Sequence, residues 1–413
     1  MPRIQPFKAI RPTREHAESV ASVPYDVVNR DEAAALAEGN SNSFLHVIRP
    51  DIDLPADTDP YADEVYATGR ANLERLLSES VLQQDSDSCL YVYRQIMNGV
   101  PQVGLVCCCH IDDYADNLIL KHEKTRPAKE DDRTRHVLTL NAHAGPVFLS
   151  YRSDDTVDAL VGTVVATQPL YDFKAEDGVQ HTVWRVTETA PYVQAMSSIP
   201  YFYVADGHHR SASALRAGTT RREANSQHTG SEEYNWFLSV LFPSDQLRIL
   251  SYNRIIRDLN GLTAEEFCRK LHDAGRVEPT DSPVPAAAGS FCVYVAGSWY
   301  RVTVPADSIP ANDAVNSLDV ALLENRVLSP ILGIKDVRTD KRIDFVGGIR
   351  GTAELERLVN SGDWACAVSM YPTSMDQLMN VSDAGEIMPP KSTWFEPKLR
   401  SGLVVQPLSG DRL

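Results

Sequence analysis

Tyr201-Phe202-Tyr203-Val204-Ala205-Asp206-Gly207-His208-His209-Arg210-Ser211-Ala212-Ser213-Ala214-Leu215 changes from one regular structure to another within two residues. Tyr201 to Ala205 suit a strand, and a helix rich in small residues starts around His209. Gly207 between them permits positive φ and a close backbone approach. A strand, a tight turn and a helix N-terminus together form an anion site, because the first-turn N–H groups lack helical partners and the helix dipole favours negative charge. The dipole contributes only about 0.3–1 kcal/mol, so the backbone amides and the bidentate donor Arg210 must contribute more. A plainer reading is that Asp206 only caps the helix and the two histidines lie on the surface. No Walker A sequence and no G-x-G-x-x-G occurs, so the common nucleotide-binding loops are absent.

Outward from this stretch, helix and strand signals alternate. Residues 60–84 carry Val65, Leu73, Leu76 and Leu77 at helical spacing, and further helices are expected at 31–38, 154–166, 210–217, 263–274, 315–325 and 352–361. Cys89 to Tyr93 and Gln102 to Ile111 flank Asn98-Gly99, a hairpin signal, and Ser290 to Val295 with Tyr300 to Val304 form a second hairpin turning at Gly297-Ser298. Polar residues 218–233 read as a mobile loop. Val23 to Val28 and Asn42 to Pro50 read as extended segments. The fold class is therefore mixed α/β, or α+β, with antiparallel pairs. The Pro/Ala-rich stretch 281–289 is the best linker, dividing residues 1–280 from 281–413.

Two more clusters carry chemistry. His122 to His136 hold nine charged residues in fifteen, five basic and four acidic. A solvated helix would look the same, with Lys129 repelling Arg133 and Asp131 attracting Arg135. The functional alternative makes Glu123 a general base and sets Lys129, Arg133 or Arg135 on phosphates. Since Thr125 and Arg126 follow His122-Glu123, the sequence is not H-E-x-x-H. Near the other end, Met388 to Lys398 contains Lys391-Ser392-Thr393, an ammonium beside two hydroxyls, which suits a phosphate or a small polar substrate. An ordinary polar strand is the alternative there.

The 413 residues hold 40 Lys and Arg against 56 Asp and Glu, a formal net charge of −16. That opposes duplex nucleic acid as a partner, yet a local cationic pocket for a small phosphorylated ligand remains compatible with it. The strongly apolar runs, such as Val103 to Cys109, fall far short of the ~20 residues that span a bilayer. Met1 to Pro6 lack a signal-peptide core. Seven cysteines, three of them consecutive at Cys107, Cys108 and Cys109, do not form an exported disulfide framework. No C-x-x-C pair suggests zinc, and small apolar residues on a buried strand explain the triplet better. A cytoplasmic chain is expected.

Asp206-Gly207-His208-His209-Arg210 resembles the D-G-H-H-R motif of the free serine kinases, which belong to the ParB/sulfiredoxin-like superfamily. Lys391-Ser392-Thr393 is similar to their K-T-T segment, with Trp394 where they carry an arginine. Pro24-Tyr25-Asp26-Val27, Ser43 to Pro50, His122-Glu123-Lys124-Thr125 and Pro389 to Thr393 extend the likeness over nearly the whole chain, to domain-of-unknown-function family 1015. The resemblance implies a ParB-like core elaborated with extra strands and helices. It implies phosphoryl transfer from ATP, ADP or pyrophosphate to the hydroxyl of L-serine, or the reverse reaction from phosphoserine, with Mg2+ expected alongside the donor. Asp206, Gly207, His208, His209, Arg210 and Ser211 would bind donor phosphates, with Asp206 also a metal contact and a catalytic carboxylate. Glu123 would take the hydroxyl proton. His122, Thr125, Lys129, Arg133, Lys391, Ser392 and Thr393 would hold the acceptor. A homo-oligomer is compatible with this reading. A ParB-like nucleotide-sensing module without turnover is the alternative, whereas sulfiredoxin chemistry would need a cysteine where His208 and His209 stand.

Overall fold

A computed structural model describes residues 1–409. The chain forms two compact units: residues 1–247 rejoined by the segment from Pro397 onward, and Arg248–Glu396. The mixed α/β class expected from the sequence is what the structure shows. The boundary falls at residue 247 rather than 280, and the Pro/Ala-rich stretch 281–289 lies inside the second unit, between two of its strands.

The sheet of the first unit uses nine strands. They are β1 (Ile4–Gln5), β2 (Leu90–Met97), β3 (Val100–His110), β4 (Ile119–Leu120) and β5 (Val147–Tyr151). β6 (Tyr171–Lys174), β7 (Gln180–Val186), β8 (Phe202–Asp206) and β9 (Trp236–Pro243) complete it. Their spatial order is β4-β8-β5-β9-β3-β2-β7-β6, with β1 paired to the far end of β3. β2 and β3 form the hairpin expected at Asn98-Gly99, both residues having positive φ as a two-residue turn of matching twist requires. On β3, Cys107 and Cys109 face the apolar core with Leu105, Trp184 and Phe237, and Cys108 is buried on the opposite face. The triplet therefore acts as small apolar filling.

Three helices position the site on this sheet: α1 (Asp63–Ser78), α2 (Pro127–Leu140) and α3 (His208–Ala224). α1 stops six residues before the expected end, after which Leu82–Gln84 pair with Ile10–Pro12 as a strand. α3 runs through Ala224, so the first part of the expected loop at 218–233 is helix. Its polar last turn is held by partners: Arg222 pairs with Asp112 at 2.6 Å, and Arg221 donates to Asn141. The segment 42–50 is not extended but helical at Leu45–Ile48, where Leu45, Val47 and Ile48 are buried.

The second unit has an antiparallel sheet of six strands, β10 (Tyr252–Ile256), β11 (Arg276–Pro279), β12 (Ser290–Val295), β13 (Ser298–Thr303), β14 (Ile343–Gly347) and β15 (Cys366–Met370). The order is β11-β13-β12-β15-β10-β14. The β12–β13 turn is Ala296-Gly297, both at positive φ, one residue before the position expected; Ser298 already opens β13. Leu355 of helix Gly351–Asn360 is fully buried with Ile255, Tyr294 and Ala367, a burial that stabilises by about 2–3 kcal/mol.

Candidate functional site

β8 pairs with β5 through a bulge, Val204 opposite Leu149 but Asp206 opposite Phe148, and the extra residue re-aims the strand end. Gly207 follows at φ 100° and ψ 31°, in the left-handed region, and α3 begins at His208. An added Cβ at Gly207 would meet Arg210 Nε at 3.1 Å, so this position favours glycine for both conformation and space. Ser211 N–H donates to the Gly207 carbonyl, closing the first turn and leaving the amides of His208, His209 and Arg210 outside the helical ladder. Ser211 Oγ bonds the same carbonyl and is buried, so its hydroxyl serves the turn.

Asp206 stands between two cations. Lys398 Nζ lies 3.1 Å from one carboxylate oxygen and an Arg210 terminal nitrogen lies 3.7 Å from the other. Burial pushes the Asp206 carboxyl up, but Lys398 and Arg210 outweigh it and hold the group well below the usual carboxylate range. Arg210 also reaches the Pro146 carbonyl and lies 4.0 Å from Asp26, while its buried Nε has no hydrogen-bond partner among the described residues. Burial works against the charge of Arg210, and Asp26 and Asp206 restore it.

The second sequence cluster meets this turn. His122 and His208 pack edge to face with ring centroids 4.5 Å apart, and Glu123 Oε2 lies 3.8 Å from His208 Nδ1. Burial lowers His122 to about 4 and holds His208 well below its ordinary value, so both rings are neutral. His208 Nε2 is buried with no hydrogen-bond partner among the described residues. His209 accepts from the Arg126 amide at 3.1 Å, and its pKa is lowered by burial and then by Arg126. Thr125 donates its hydroxyl to Glu130, and Lys129 sits half-exposed in the first turn of α2. Arg133 is not on a solvated face: it pairs with Asp132 at 2.9 Å and stacks on Tyr25, 4.1 Å from the ring centroid. The expected Asp131–Arg135 attraction is replaced by longer-range pairs, Asp131 with Arg216 at 2.6 Å and Arg135 with Asp63. A cavity of about 40 Å³ under α3 is lined by Tyr25, Arg133, His136, Arg210 and Ser213.

Lys391, Ser392 and Thr393 belong to the second unit. Lys391 is exposed at positive φ, its ammonium 5.2 Å from the Tyr252 ring centroid, and its carbonyl accepts from Arg254. Ser392 is buried, with its hydroxyl on the Pro389 carbonyl and its own carbonyl accepting from Thr373. Asp206 does not fit the part of magnesium ligand, since its two oxygens already face Lys398 and Arg210. Among the described residues no group of three His, Cys, Asp or Glu could hold a metal ion. Sequence reasoning missed Lys398, Tyr25 and Asp26 as site residues. The only signal was position: Lys398 closes the Met388–Lys398 cluster, and Tyr25-Asp26 sit in Pro24-Tyr25-Asp26-Val27.

Residues 4–321 match the family described as protein of unknown function (DUF1015), and the chain belongs to it. Among curated proteins nothing matches the chain. Among solved structures, it is similar to a conserved hypothetical protein from Pyrococcus furiosus, 12% identical, with 73% of this chain and 95% of that chain covered at a TM-score of 0.34. It is similar to free serine kinase in complex with AMP, 13% identical, with 73% and 91% covered at a TM-score of 0.35. SbnI with C-terminal truncation from Staphylococcus aureus is 13% identical, with 75% and 85% covered at a TM-score of 0.37. Among the described residues no helix is long and apolar enough to cross a membrane.

Proposed function

We propose that this chain binds the phosphates of a nucleotide or pyrophosphate donor at the first turn of α3 and transfers a phosphoryl group to the hydroxyl of a small acceptor. The observation that carries this is the left-handed Gly207, which opens the N-terminus of a 17-residue helix beside Arg210. A cation beside first-turn amides that stand outside the helical ladder is the environment a phosphate needs, even on a chain of net charge −16. The resemblance of Asp206 to Arg210 and of Lys391 to Thr393 to free serine kinases supports L-serine as the acceptor.

In this reading the amides of His208 to Arg210 and the Arg210 guanidinium accept the donor phosphate. The acceptor oxygen forms its bond to phosphorus as the bond to the leaving phosphate breaks, and Glu123 takes the hydroxyl proton. Such transfer needs positioning and charge stabilisation more than covalent chemistry from the protein. His208, kept neutral by burial, adds no charge beside Glu123. Asp206 serves as counter-ion to Arg210 and Lys398 rather than as base, because its carboxyl is held ionised and weakly basic. Binding without turnover is the second reading, favoured by Glu123 standing 47% exposed at its side chain. Incubation with L-serine and ATP, ADP or pyrophosphate separates the two. O-phosphoserine formed with one donor supports transfer, donor binding without product supports the sensing module, and no binding at all contradicts both.

A further inference from the structure

One face of the second-unit sheet carries a buried charge. Ile255 of β10 and Val346 of β14 face the apolar core under helix Gly351–Asn360, so Tyr252, Arg254 and Phe345 lie on the opposite face. Arg254 is 3% exposed. Its guanidinium donates to two neutral groups, the carbonyls of Tyr252 and, at 3.1 Å, Lys391, and lies 5.3 Å from the Phe345 ring centroid. Among the described residues it has no further hydrogen bond and no ion pair. The acid whose charge reaches it is Glu324, half-buried and beyond ion-pair distance. The Glu324 carboxylate has neither a hydrogen bond nor an ion pair of its own among the described residues. Glu324 also opens a π-helical turn, Glu324–Leu328, in which Ser329 N–H donates to the Glu324 carbonyl at 3.0 Å. Such turns gather at functional sites.

A buried guanidinium with only neutral acceptors is costly, and burial lowers its pKa to about 10. Burial likewise raises the Glu324 carboxyl, although Arg254 opposes the shift. Asp336 and Arg338, whose charges also reach Glu324, pair with each other at 2.9 Å. Lys391 adds an exposed ammonium, 5.2 Å from the Tyr252 ring centroid and without an ion pair among the described residues. Arg254 and Lys391 against Glu324 leave one positive charge in excess, which a carboxylate balances, and the guanidinium fork matches a carboxylate bidentately. The half-exposed rings of Tyr252, Phe345 and Trp394 supply apolar walls, with Trp394 edge-on to Tyr252 at 5.0 Å. We propose that Arg254 anchors a binding site for a small organic carboxylate in the second unit, walled by Tyr252, Phe345 and Trp394. Glu324 separates two sources of that carboxylate, since it repels a plain acid and attracts the ammonium of an α-amino acid. The proposal concerns the second unit alone and does not depend on the phosphoryl transfer proposed above.

The test is calorimetric titration of the full chain with propionate and with L-alanine, which differ by one ammonium group. The wild-type chain should bind at least one of them. Arg254→Met should weaken that binding by about tenfold or more, the range for charge-assisted hydrogen bonds, and Arg254→Lys should recover part of it. Tighter binding of L-alanine, with the preference lost in Glu324→Gln, supports an amino acid as the ligand. Propionate binding as tightly or more so supports a plain acid. Should the Arg254 variants fold poorly, a crystal of the wild-type chain soaked in the tighter-binding probe decides, and its carboxylate should sit on the Arg254 guanidinium. An arginine that only ties β10 to the Lys391 carbonyl would lower the melting temperature on substitution and leave carboxylate affinity in place. Neither probe binding the wild-type chain, Arg254→Met affinity within threefold of wild type, or a probe seated away from Arg254 overturns the proposal.

Discussion

Arg210 serves two ends at once: one terminal nitrogen holds the Pro146 carbonyl and the other faces Asp206 and Asp26. Its removal therefore costs both a brace and a phosphate donor. Arg210→Ala is expected to weaken nucleotide and pyrophosphate binding by about 1.5–3 kcal/mol, measured by calorimetry, and unchanged affinity would contradict the site. Glu123 offers a sharper distinction, since Glu123→Gln keeps its shape but cannot take a proton. The variant should lower kcat by roughly 10²–10⁴-fold while donor affinity stays within twofold or so. Serine-dependent transfer within about threefold of wild type would pass the role of base to another group, since general-base assistance is worth far more than that. Residues 206–210 were legible because their chemistry is local to one turn. Lys398, Tyr25 and Asp26 were not, because nothing in their own neighbourhoods encodes a partner 192 residues away, as Lys398 has in Asp206.

At the scale of elements, α3 packs by close approach rather than by large side chains. After His208, its buried residues are Ser211, Ala212, Ser213, Ala214, Ala217 and Gly218, and a Cβ on Gly218 would collide with the Ile111 side chain and the Tyr234 carbonyl. Gly218→Ala should therefore destabilise the first unit by about 1–3 kcal/mol, read as a lower denaturation midpoint, although alanine favours helices elsewhere. This packing also explains why the helix looked shorter in the sequence. Residues 219–224 lack an apolar stripe, and their helicity depends on Asp112 and Asn141, supplied by other parts of the chain. The two hairpins were legible because Asn98-Gly99 and Gly297 impose their own backbone geometry. The charged run at 122–136 gave no sign that Arg133 would be stacked on Tyr25, since its pairing with Asp132 looks like any surface pattern.

Across the whole molecule, the two units differ in how they meet acid. His122, His136, His143, His181 and His208 are buried in the first unit, and burial lowers His122 and His143 to about 4 and His136 and His181 to about 3. Each folded ring refuses a proton that the unfolded chain accepts below about pH 6.5. Stability is therefore complete above that pH and falls as the pH drops toward the folded values, by about 1.4 kcal/mol per unit for each ring. His46, raised by its hydrogen bond to Asp53, opposes this as a single group. The unfolding transition of the first unit should shift steeply downward between pH 6.5 and 4.5 in calorimetry. The second unit, with His272 as its one histidine, should shift less. A first-unit transition flat across that window would contradict the burial of these rings. The domain division was less legible than the motif, because the first unit is completed by a segment from the far end of the chain. The central claim is tested most directly by a crystal structure with bound nucleoside diphosphate. The account predicts a phosphate oxygen about 2.7–3.2 Å from the amides of His208 to Arg210 and from the Arg210 guanidinium. A nucleotide bound elsewhere, with the turn at Gly207 bare, would contradict it.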